Sequence, residues 1–379
     1  MKHNVSEMFM VPTQNILDDL DYIKRIDKED MLSLCVHSAQ NYSKSMKLAR
    51  KVPISFAKPR NIIVSGMGGS AIGGELLKDW ARDRARVAIE VCRDYSLPAY
   101  ANKETLVFVN SYSGETEETL SVLLDAVKRN CKIVCVSSGG KLLEFAERLS
   151  LPYIRVPSDM PPRAALPFMF VPLIIVCQKL GFVSKVEKEL SDATDVVEQI
   201  IEVNSPQRSC IENFSKTLAS EICGTIPVIY GFGVYRGVGQ RFKQQFNENS
   251  KIPAKWEYFS ELNHNEIVGW EEADEFLRCF SIMFIRDDKE RPEIKLRIET
   301  SKEIIPEQVK TFEVWSKGTN TLSKMLSVVC IGDFTSIYIA LLRGVDPTPV
   351  GTISTLKQKL AQGNTRSKTL HDLEKISRK

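Results

Sequence analysis

The sequence predicts an α/β protein with two parallel-sheet units and additional helices at both termini. The chain has 379 residues, whereas a single domain usually has about 100–200. Short apolar segments alternate with helical segments in both halves, which is typical of a parallel sheet covered on both faces. An apolar strand leads into a G-x-G turn once in each half, at Ile62–Gly68 and at Pro227–Gly233. We therefore predict a duplicated unit, with one domain at residues 1–190 and the other at residues 191–379.

The first half is predicted to begin with helices and to continue with five strands. Apolar residues from Ile16 to Ile26 fall at helical spacing, so residues 12–50 are predicted to be helical until Pro53 interrupts the pattern. The strand candidates are Asn61–Ser65, Val87–Cys92, Thr105–Asn110, Lys132–Val136 and Tyr153–Val156. The helices between these strands are predicted to begin near Ser70, Thr116 and Lys141.

The second half repeats the alternation after a linker. Residues 186–220 are charged and periodic, and they predict a pair of connecting helices. The strand candidates that follow are Pro227–Tyr230, Lys255–Phe259, Phe276–Ile285 and Thr311–Trp315. The helical candidates are Arg236–Asn249, Glu293–Ile304 and Leu322–Leu342. The basic, amphipathic segment after Gly351 predicts a final helix that packs against the body of the protein.

Charge and hydropathy argue against several classes of protein. The chain has 51 basic and 48 acidic residues and a net charge of +3. This charge is much smaller than the strong positive charge of a typical nucleic-acid binder. No apolar run approaches the roughly 18 residues of a membrane span, and the N-terminal segment lacks the apolar core of a secretory signal. We expect a soluble, cytoplasmic protein with no nucleic-acid or membrane partner.

Cysteine and histidine usage argues against a metal centre. Most of the nine cysteines lie in apolar segments, as buried free thiols do. The sequence contains no C-x-x-C pair and only four histidines, so a zinc site would need scattered ligands. We therefore expect no metal.

A glycine-rich loop follows the first predicted strand. The segment Gly66–Gly74 has the sequence GMGGSAIGG and leads into a helix. Glycines allow positive φ and close approach of the backbone to a ligand, and a helix N-terminus offers N–H groups and a positive dipole end. Ser70 adds a hydroxyl group. Five glycines in nine residues favour an anion-binding loop over a simple tight turn.

The same segment also fits a dinucleotide-binding pattern loosely. Gly66, Gly68 and Ala71 match G-x-G-x-x-A, and the acidic partner of that pattern is expected about 20 residues later, where Asp94 is the nearest candidate. On this motif alone, an NAD-dependent enzyme is an alternative.

A second loop favours a phosphate group instead. The segment SYSGETEET follows the strand Thr105–Asn110 and brings Ser111, Ser113 and Thr116 to a helix start. Ser113 or Thr116 could simply be an N-cap, with a nearby glutamate completing a capping box, and an N-cap is the better explanation of a lone serine. Three hydroxyls beside the glycine-rich loop favour one phosphomonoester, held by hydroxyls and backbone amides. Neither loop contains a lysine or an arginine.

Six motifs together resemble one enzyme family. They are GMGGSAIGG, SYSGETEET, PPRAALP, NENSK, ELNHNE and RGVDPTPV. The first two are similar to the sugar isomerase (SIS) domain, and the full set resembles the bifunctional phosphoglucose/phosphomannose isomerases of the phosphoglucose isomerase superfamily. The similarity extends from about Asn61 to Lys357. It implies two SIS-type domains, each with a flavodoxin-like, doubly wound parallel sheet.

The resemblance implies an aldose–ketose isomerase. Such an enzyme interconverts glucose 6-phosphate and mannose 6-phosphate with fructose 6-phosphate through a cis-enediol intermediate, with neither a metal nor another cofactor. The resemblance places the substrate phosphate at Gly69, Ser70, Ser111, Ser113 and Thr116. It also implies a homodimer with a shared active site, in which His264 reaches across from the neighbouring subunit.

The isomerisation needs ring opening, a base, and stabilisation of the enediolate. By resemblance, His264 opens the sugar ring, Glu248 is the base, and Arg163 stabilises the enediolate. Arg163 lies among prolines and small apolar residues in PPRAALP, which is unusual for a merely solvated charge. Its planar fork of donors suits two adjacent oxygens.

Two further roles are assigned less narrowly. Lys357 matches the late lysine of the family, which is thought to assist at the ring oxygen, and Lys359 is the alternative. Mannose 6-phosphate requires rotation about the C2–C3 bond, which the family associates with a hydroxyl residue near the C-terminal segment. Thr348 and Thr352 are both candidates.

A different class of protein shares the phosphate loops. Many SIS modules bind a sugar phosphate without catalysis and regulate a partner. Such a regulator has no need of Glu248, His264 and Arg163, so their joint presence favours the enzyme.

Overall fold

The computed structural model describes residues 14–271 and 275–378. The chain forms two compact units. The first, here called the N-sheet unit, comprises Ser38–Ser191 and the chain from Val350 onward. The second, the C-sheet unit, comprises the chain up to His37 together with Asp192–Pro349. The predicted division at residues 1–190 and 191–379 is different. The N-terminal helices before Ser38 belong to the unit formed by the second half of the sequence, and the C-terminal helices belong to the unit formed by the first half.

Three helices begin the described chain. They are α1 (Leu20–Ile26), α2 (Met31–Val36) and α3 (Ser38–Lys51), after a 3-10 turn at Gln14–Asp18. The helices α1 and α2 are separate because the Asp27 carboxylate accepts the N–H groups of Met31 and Leu32, each at 2.8 Å. These bonds satisfy main-chain donors at the start of α2. Residues 12 and 13 of the predicted helical segment lie outside the described residues.

The N-sheet unit contains a five-stranded parallel sheet. Its strands are β1 (Asn61–Ser65), β2 (Ala88–Cys92), β3 (Thr105–Asn110), β4 (Lys132–Ser137) and β5 (Tyr153–Arg155). Their order is β2-β1-β3-β4-β5, the flavodoxin-like order, and every neighbouring pair is parallel. The predicted α/β class is thus confirmed. The order reverses between β1 and β3, and ligands of such sheets bind at the carboxyl ends of the strands beside this point.

Four helices of this unit follow its strands in the sequence. They are α4 (Gly69–Ala81), α5 (Glu117–Lys128), α6 (Gly140–Arg148) and α7 (Leu166–Lys179). The first three begin within one residue of the predicted starts. The helix α7 is apolar around its whole circumference because it packs against both α3 and α4.

A pair of helices links the two sheets in the sequence. They are α8 (Val186–Asn204) and α9 (Phe214–Ile222), as the charged periodic linker predicts. Asn213 is the N-cap of α9, and its side chain accepts the N–H of Lys216 at 2.9 Å.

The C-sheet unit repeats the topology with four strands. They are β6 (Ile226–Phe232), β7 (Lys255–Phe259), β8 (Phe280–Arg286) and β9 (Lys310–Trp315). Their order is β7-β6-β8-β9, again with parallel pairing throughout. The predicted strand Phe276–Ile285 starts too early, because residues Glu275–Cys279 form a 3-10 turn before β8. The repeated order confirms the doubly wound fold predicted for both halves.

The helices of the C-sheet unit follow the predicted positions. They are α10 (Arg236–Gln245), α11 (Pro292–Ile304) and α12 (Thr321–Leu342). The chain continues from α10 into a π-helical turn at Phe246–Ser250. Short 3-10 turns occupy Gly233–Tyr235, Glu261–His264 and Glu266–Trp270.

The helix α12 corrects the expectation that no segment approaches a membrane span. Within the described part of the chain, it is the one helix that is long and apolar enough to cross a membrane. However, 94% of its qualifying window is buried. A core helix of a soluble protein passes the same test of length and composition, and α12 packs against α9 and α10 in the C-sheet unit.

Two helices end the chain where one was predicted. They are α13 (Gly351–Leu360), which is exposed along its length, and α14 (Thr365–Ser377). The expected packing against the body belongs to α14, since its Leu373 is fully buried in a core cluster with Leu120 and Leu123 of α5. Burial of a leucine side chain stabilises such a contact by about 2 kcal/mol.

Candidate active site

The glycine loop (Gly66–Gly74) connects β1 to α4. Its Gly68 is the N-cap of α4 and has a φ of 49°, which favours glycine. At Gly69, an added Cβ would lie 2.7 Å from the main-chain oxygen of Pro162, so only glycine allows this approach. No side chain among the described residues caps α4. The loop therefore leaves the main-chain N–H groups at the start of α4 without a side-chain cap.

Ser70 connects this loop to the next strand end. Its side chain is buried, and its Oγ accepts the main-chain N–H of Tyr112 at 3.0 Å. The bond joins the glycine loop to the hydroxyl loop, which we define as Ser111–Thr116. The structure thereby brings the two predicted phosphate loops together at the carboxyl ends of β1 and β3.

The hydroxyl loop is organised by its own hydroxyl groups. Ser111 Oγ lies 2.8 Å from Thr116 Oγ1 and also accepts the N–H of Gly114 at 3.1 Å. Ser113 Oγ accepts the N–H of Glu115 at 3.3 Å. Ser111 is buried, Thr116 is half-buried, and Ser113 is exposed. The exposed serine and the threonine are thus the hydroxyls with access to a ligand.

The alternative explanation of Thr116 as a side-chain N-cap does not hold. Thr116 occupies the N-cap position of α5, but its side chain makes no capping hydrogen bond to the first turn. Its hydroxyl instead pairs with Ser111. Within the part of the chain that the structure describes, α5 thus has main-chain N–H groups that no side chain caps.

A third loop, Ser137–Gly140, belongs to the same region and was missed in the sequence. It follows β4 and precedes α6, and Ser138 Oγ donates to the main-chain oxygen of Tyr112 at 2.6 Å. Gly114 has a φ of 70°, and a Cβ there would overlap the main-chain oxygen of Gly139. The available signal was the run SSGG at the end of a predicted strand, which repeats the composition of the first two loops.

Arg163 lies beside the glycine loop. Its side chain is buried, with 3% of the residue exposed, whereas a solvated arginine would be largely exposed. A Cβ on Gly69 would be 3.2 Å from the main-chain nitrogen of Arg163, so the PPRAALP segment packs directly on that loop. The segment turns at Pro161–Ala165 and leads into α7. The sequence-based expectation that Arg163 is no ordinary surface residue agrees with this position.

Glu248 lies in the π-helical turn that extends α10. Asn249 donates to Ser336 Oγ at 2.9 Å, and Ser250 Oγ donates to the main-chain oxygen of Ser336 at 2.6 Å. Both contacts fix the turn on α12. The Glu248 side chain is half-buried. Wide π-helical turns occur frequently at functional sites because they redirect side chains from a regular helix.

Lys251 holds the main chain of the same turn. Its Nζ donates to the main-chain oxygens of Glu248 at 2.5 Å and of Pro347 at 2.8 Å. Lys251 itself has a φ of 54° and ends the helix. The NENSK and RGVDPTPV motifs therefore meet in one structure within the C-sheet unit, which sequence reasoning did not anticipate.

His264 ends a 3-10 turn and is exposed. Its asparagine neighbours hold the loop: Asn263 donates to Ser301 Oγ at 2.9 Å, and Asn265 donates to Glu261 at 2.7 Å. The structure thus fixes the backbone that carries His264.

The next turn packs into the C-sheet unit. Tyr230 donates to the Glu266 carboxylate at 2.7 Å and accepts from Trp270 Nε1 at 2.9 Å. Burial and the nearby Glu266 carboxylate raise the pKa of Tyr230, so the phenol stays protonated and keeps donating. Lys255 pairs with Glu266 at 2.8 Å. In contrast, Val268 of the same turn is 57% exposed.

The C-terminal candidates lie near α13. Lys357, Lys359 and Thr352 are all exposed on that helix, so exposure does not distinguish the two lysines. Thr348 is buried, and its main-chain N–H donates to the Asp346 carboxylate at 3.0 Å. The phosphate loops, Arg163 and Lys357 belong to the N-sheet unit, whereas Glu248 and His264 belong to the C-sheet unit.

No cluster of three or more histidine, cysteine, aspartate or glutamate side chains has metal-binding geometry within residues 14–271 and 275–378. All nine cysteines are free thiols. Burial raises the pKa of the Cys135 and Cys177 thiols to about 12, so both are protonated at neutral pH.

Similarity to known proteins extends over most of the chain. The bacterial phospho-glucose isomerase C-terminal SIS domain family matches residues 211–360. A bifunctional phosphoglucose/phosphomannose isomerase of Caldicellulosiruptor bescii is 40% identical over 303 residues, which cover 79% of this chain and 89% of that protein. A D-glucosamine-6-phosphate 4-epimerase of Sulfolobus acidocaldarius is 32% identical over 222 residues, which cover 58% of this chain and 67% of that protein.

The fold is also similar to that of solved structures. A hypothetical protein of Thermus thermophilus superposes with a TM-score of 0.72 at 14% identity, covering 95% of this chain and 96% of that one. A putative phosphosugar isomerase of Clostridium difficile superposes with a TM-score of 0.63 at 18% identity, covering 86% and 95%. Because the relative from Caldicellulosiruptor bescii is 40% identical over 79% of this chain, this chain belongs to the bifunctional phosphoglucose/phosphomannose isomerase family.

Proposed function

We propose that this protein is an isomerase that interconverts glucose 6-phosphate and mannose 6-phosphate with fructose 6-phosphate. The observation that carries the proposal is the bond from Tyr112 N–H to Ser70 Oγ, which joins two loops of the phosphosugar-binding type in a chain of this family. The test is the formation of fructose 6-phosphate from each of the two aldose phosphates.

The substrate phosphate is held by the glycine and hydroxyl loops. Ser113 and Thr116 donate their hydroxyl hydrogens to phosphate oxygens, and Gly69 contributes its main-chain N–H at the start of α4. Ser70 and Ser111 shape the loops through the bonds to Tyr112 and Thr116. Helix N-termini add a favourable field for the dianion.

Ring opening precedes the isomerisation. The C1–O5 bond breaks, the O1 hydroxyl loses its proton, and O5 gains one. His264 moves this proton, since one nitrogen of an imidazole ring can accept a proton while the other donates one. Lys357 or Lys359 assists at the ring oxygen.

The isomerisation then moves one proton between two carbons. Glu248 removes the proton from C2 of the open aldose, the electron pair forms the C1–C2 double bond, and the carbonyl oxygen becomes an enediolate. Arg163 stabilises the two adjacent oxygens with its fork of N–H donors. Glu248 returns the proton to C1 while the O2 hydroxyl proton passes to O1, so that C2–O2 becomes the carbonyl of the ketose. Every step uses side chains of the protein, without a metal or another cofactor.

Mannose 6-phosphate enters the same sequence through a different face of C2. Rotation about the C2–C3 bond presents this face to Glu248, and the hydroxyl of Thr348 or Thr352 guides the rotation. Sugar phosphates are anions that do not cross a bilayer unaided, which favours action in the cytoplasm.

The protein acts as a homodimer with a shared active site. His264 is exposed, and the following turn exposes Val268, which together suit a loop covered by a second copy. A neighbouring subunit supplies His264 to the site.

Mixing two inactive variants tests this arrangement. E248Q and H264A subunits, dissociated and reassociated at equal concentrations, should recover about a quarter of the wild-type activity, since half of the dimers are mixed and each has one intact site. Each variant treated alone is the control. Mass spectrometry reports the mixed dimers, and their formation without any recovery would place both residues in one subunit.

Epimerisation of D-glucosamine 6-phosphate is a second candidate activity, because one relative is named a D-glucosamine-6-phosphate 4-epimerase. D-glucosamine 6-phosphate is therefore included as an alternative substrate in the assay. Turnover of that sugar phosphate without turnover of the aldose 6-phosphates would assign the chain to epimerisation. A chain that binds sugar phosphates and converts none of them would be a regulator.

A further inference from the structure

The C-terminal helix contacts the hydroxyl loop through one ion pair. Arg366, in the first turn of α14, donates to the Oε2 of Glu115. The other oxygen of that carboxylate, Oε1, accepts the main-chain N–H of Lys141 at 2.9 Å. The N–H of Glu115 donates to Ser113 Oγ at 3.3 Å. Glu115 thus joins the hydroxyl loop to α6 on one side and to α14 on the other.

The helix that carries Arg366 is held in place by contacts of its own. Ser121 of α5 pairs with Thr369 of α14 at 3.1 Å, and Leu373 is fully buried against α5. Lys128 pairs with Asp372 at 3.6 Å. A cation in the first turn of a helix opposes the helix dipole, so the helix itself gives no reason for an arginine there.

The charge of the loop supplies such a reason. The glycine and hydroxyl loops contain no lysine or arginine, and the hydroxyl loop contains one acidic residue, Glu115. An unneutralised carboxylate in this loop repels a phosphate dianion. Arg366 compensates that charge from outside the loop.

We propose that Arg366 is a positioning residue that neutralises Glu115 and so allows the hydroxyl loop to accept the substrate phosphate. The family match ends at residue 360, so α14 lies beyond it. The proposal rests on the proposed role of the hydroxyl loop as the phosphate site. It makes α14 a part of substrate recognition as well as of the core.

The variant R366Q tests the proposal. We expect R366Q to raise the KM for fructose 6-phosphate about fivefold, with kcat within about twofold of wild type, because the unpaired Glu115 acts on phosphate binding alone. The increase should shrink between about 0.01 M and 0.5 M salt, since salt screens exposed charges. The matched control is R378Q, which removes an ion-paired arginine from the other end of α14, 3.7 Å from Glu374, and should leave KM unchanged. Thermal unfolding reports whether each variant is folded.

Removing the carboxylate separates charge compensation from simple anchoring. The double variant E115Q/R366Q should return KM to within about twofold of wild type, and E115Q alone should lower it, because the unpaired Arg366 then attracts the phosphate. The proposal would be overturned if the KM of the double variant, or the KM of E115Q, were as high as the KM of R366Q. S113A/T116A is measured in parallel: if it raises KM while R366Q does not, Arg366 has no such role although the phosphate site stands. If S113A/T116A leaves KM unchanged, the phosphate site itself is wrong.

Discussion

The E248Q variant should lose at least about 100-fold in kcat while it still binds sugar phosphate with nearly wild-type affinity. Glutamine keeps the size of the side chain but cannot take a proton from C2, and removal of a general base typically costs about 100-fold to 10,000-fold. The π-helical turn at Phe246–Ser250 is held on α12 by Asn249 and Ser250, so the substitution leaves its anchoring contacts in place. Steady-state kinetics gives kcat, and calorimetric titration with fructose 6-phosphate gives the affinity.

Glu257 offers a matched control for this substitution. It lies in the same unit on β7, is half-buried like Glu248, and has no assigned role. E257Q should therefore keep most of the activity. An E248Q variant that retains most of its turnover would show that another group abstracts the proton.

The S113A/T116A variant should raise KM by at least about 100-fold. Each hydrogen bond from a hydroxyl to the charged phosphate contributes about 1.5–3 kcal/mol, and a factor of ten corresponds to about 1.4 kcal/mol. Inorganic phosphate should accordingly become a much weaker competitive inhibitor of the variant. The measurement compares KM for fructose 6-phosphate and the inhibition constant of phosphate with the wild-type values.

The control for lost hydroxyl pairing is T225A/S281A. It removes a hydroxyl pair of similar geometry, at 2.7 Å, in the C-sheet unit. We expect this variant to keep its KM. Equal loss of affinity for inorganic phosphate and for phosphate-free sugars in S113A/T116A would show that these loops bind something other than the phosphate.

The fold could be predicted from the sequence because the patterns that indicate its strands and helices are local. Buried parallel strands appear as apolar runs, and β1, β3 and β4 are found within one residue of their predicted bounds. The unit to which each terminal helical segment belongs could not be predicted, since it depends on tertiary packing such as the burial of Leu373 against α5. Likewise, the 3-10 turn before β8 is set by the buried Leu277 and by ring contacts of Phe276 and Phe280, which no spacing rule encodes.

The loops of the candidate site could be predicted from the sequence, but the contacts that hold the turn of Glu248 could not. Glycine and hydroxyl residues at strand ends predicted two neighbouring loops, which the bond from Tyr112 to Ser70 joins, because parallel strands bring their carboxyl ends to one edge of the sheet. The roles of Ser336 and Lys251 in fixing the Glu248 turn depend on long-range contacts that carry no sequence pattern. The bonds from Asn263 to Ser301 and from Asn265 to Glu261, which hold the loop of His264, likewise carry no sequence pattern.

The most direct test of the proposed function is a coupled assay on the purified protein. Glucose 6-phosphate and mannose 6-phosphate are supplied separately, and the formation of fructose 6-phosphate is followed with and without EDTA. We predict that both substrates yield fructose 6-phosphate and that EDTA leaves both rates unchanged, because only side chains take part in the proposed steps. Failure to convert either substrate, or an activity that EDTA abolishes and zinc restores, would contradict the proposed metal-independent isomerase.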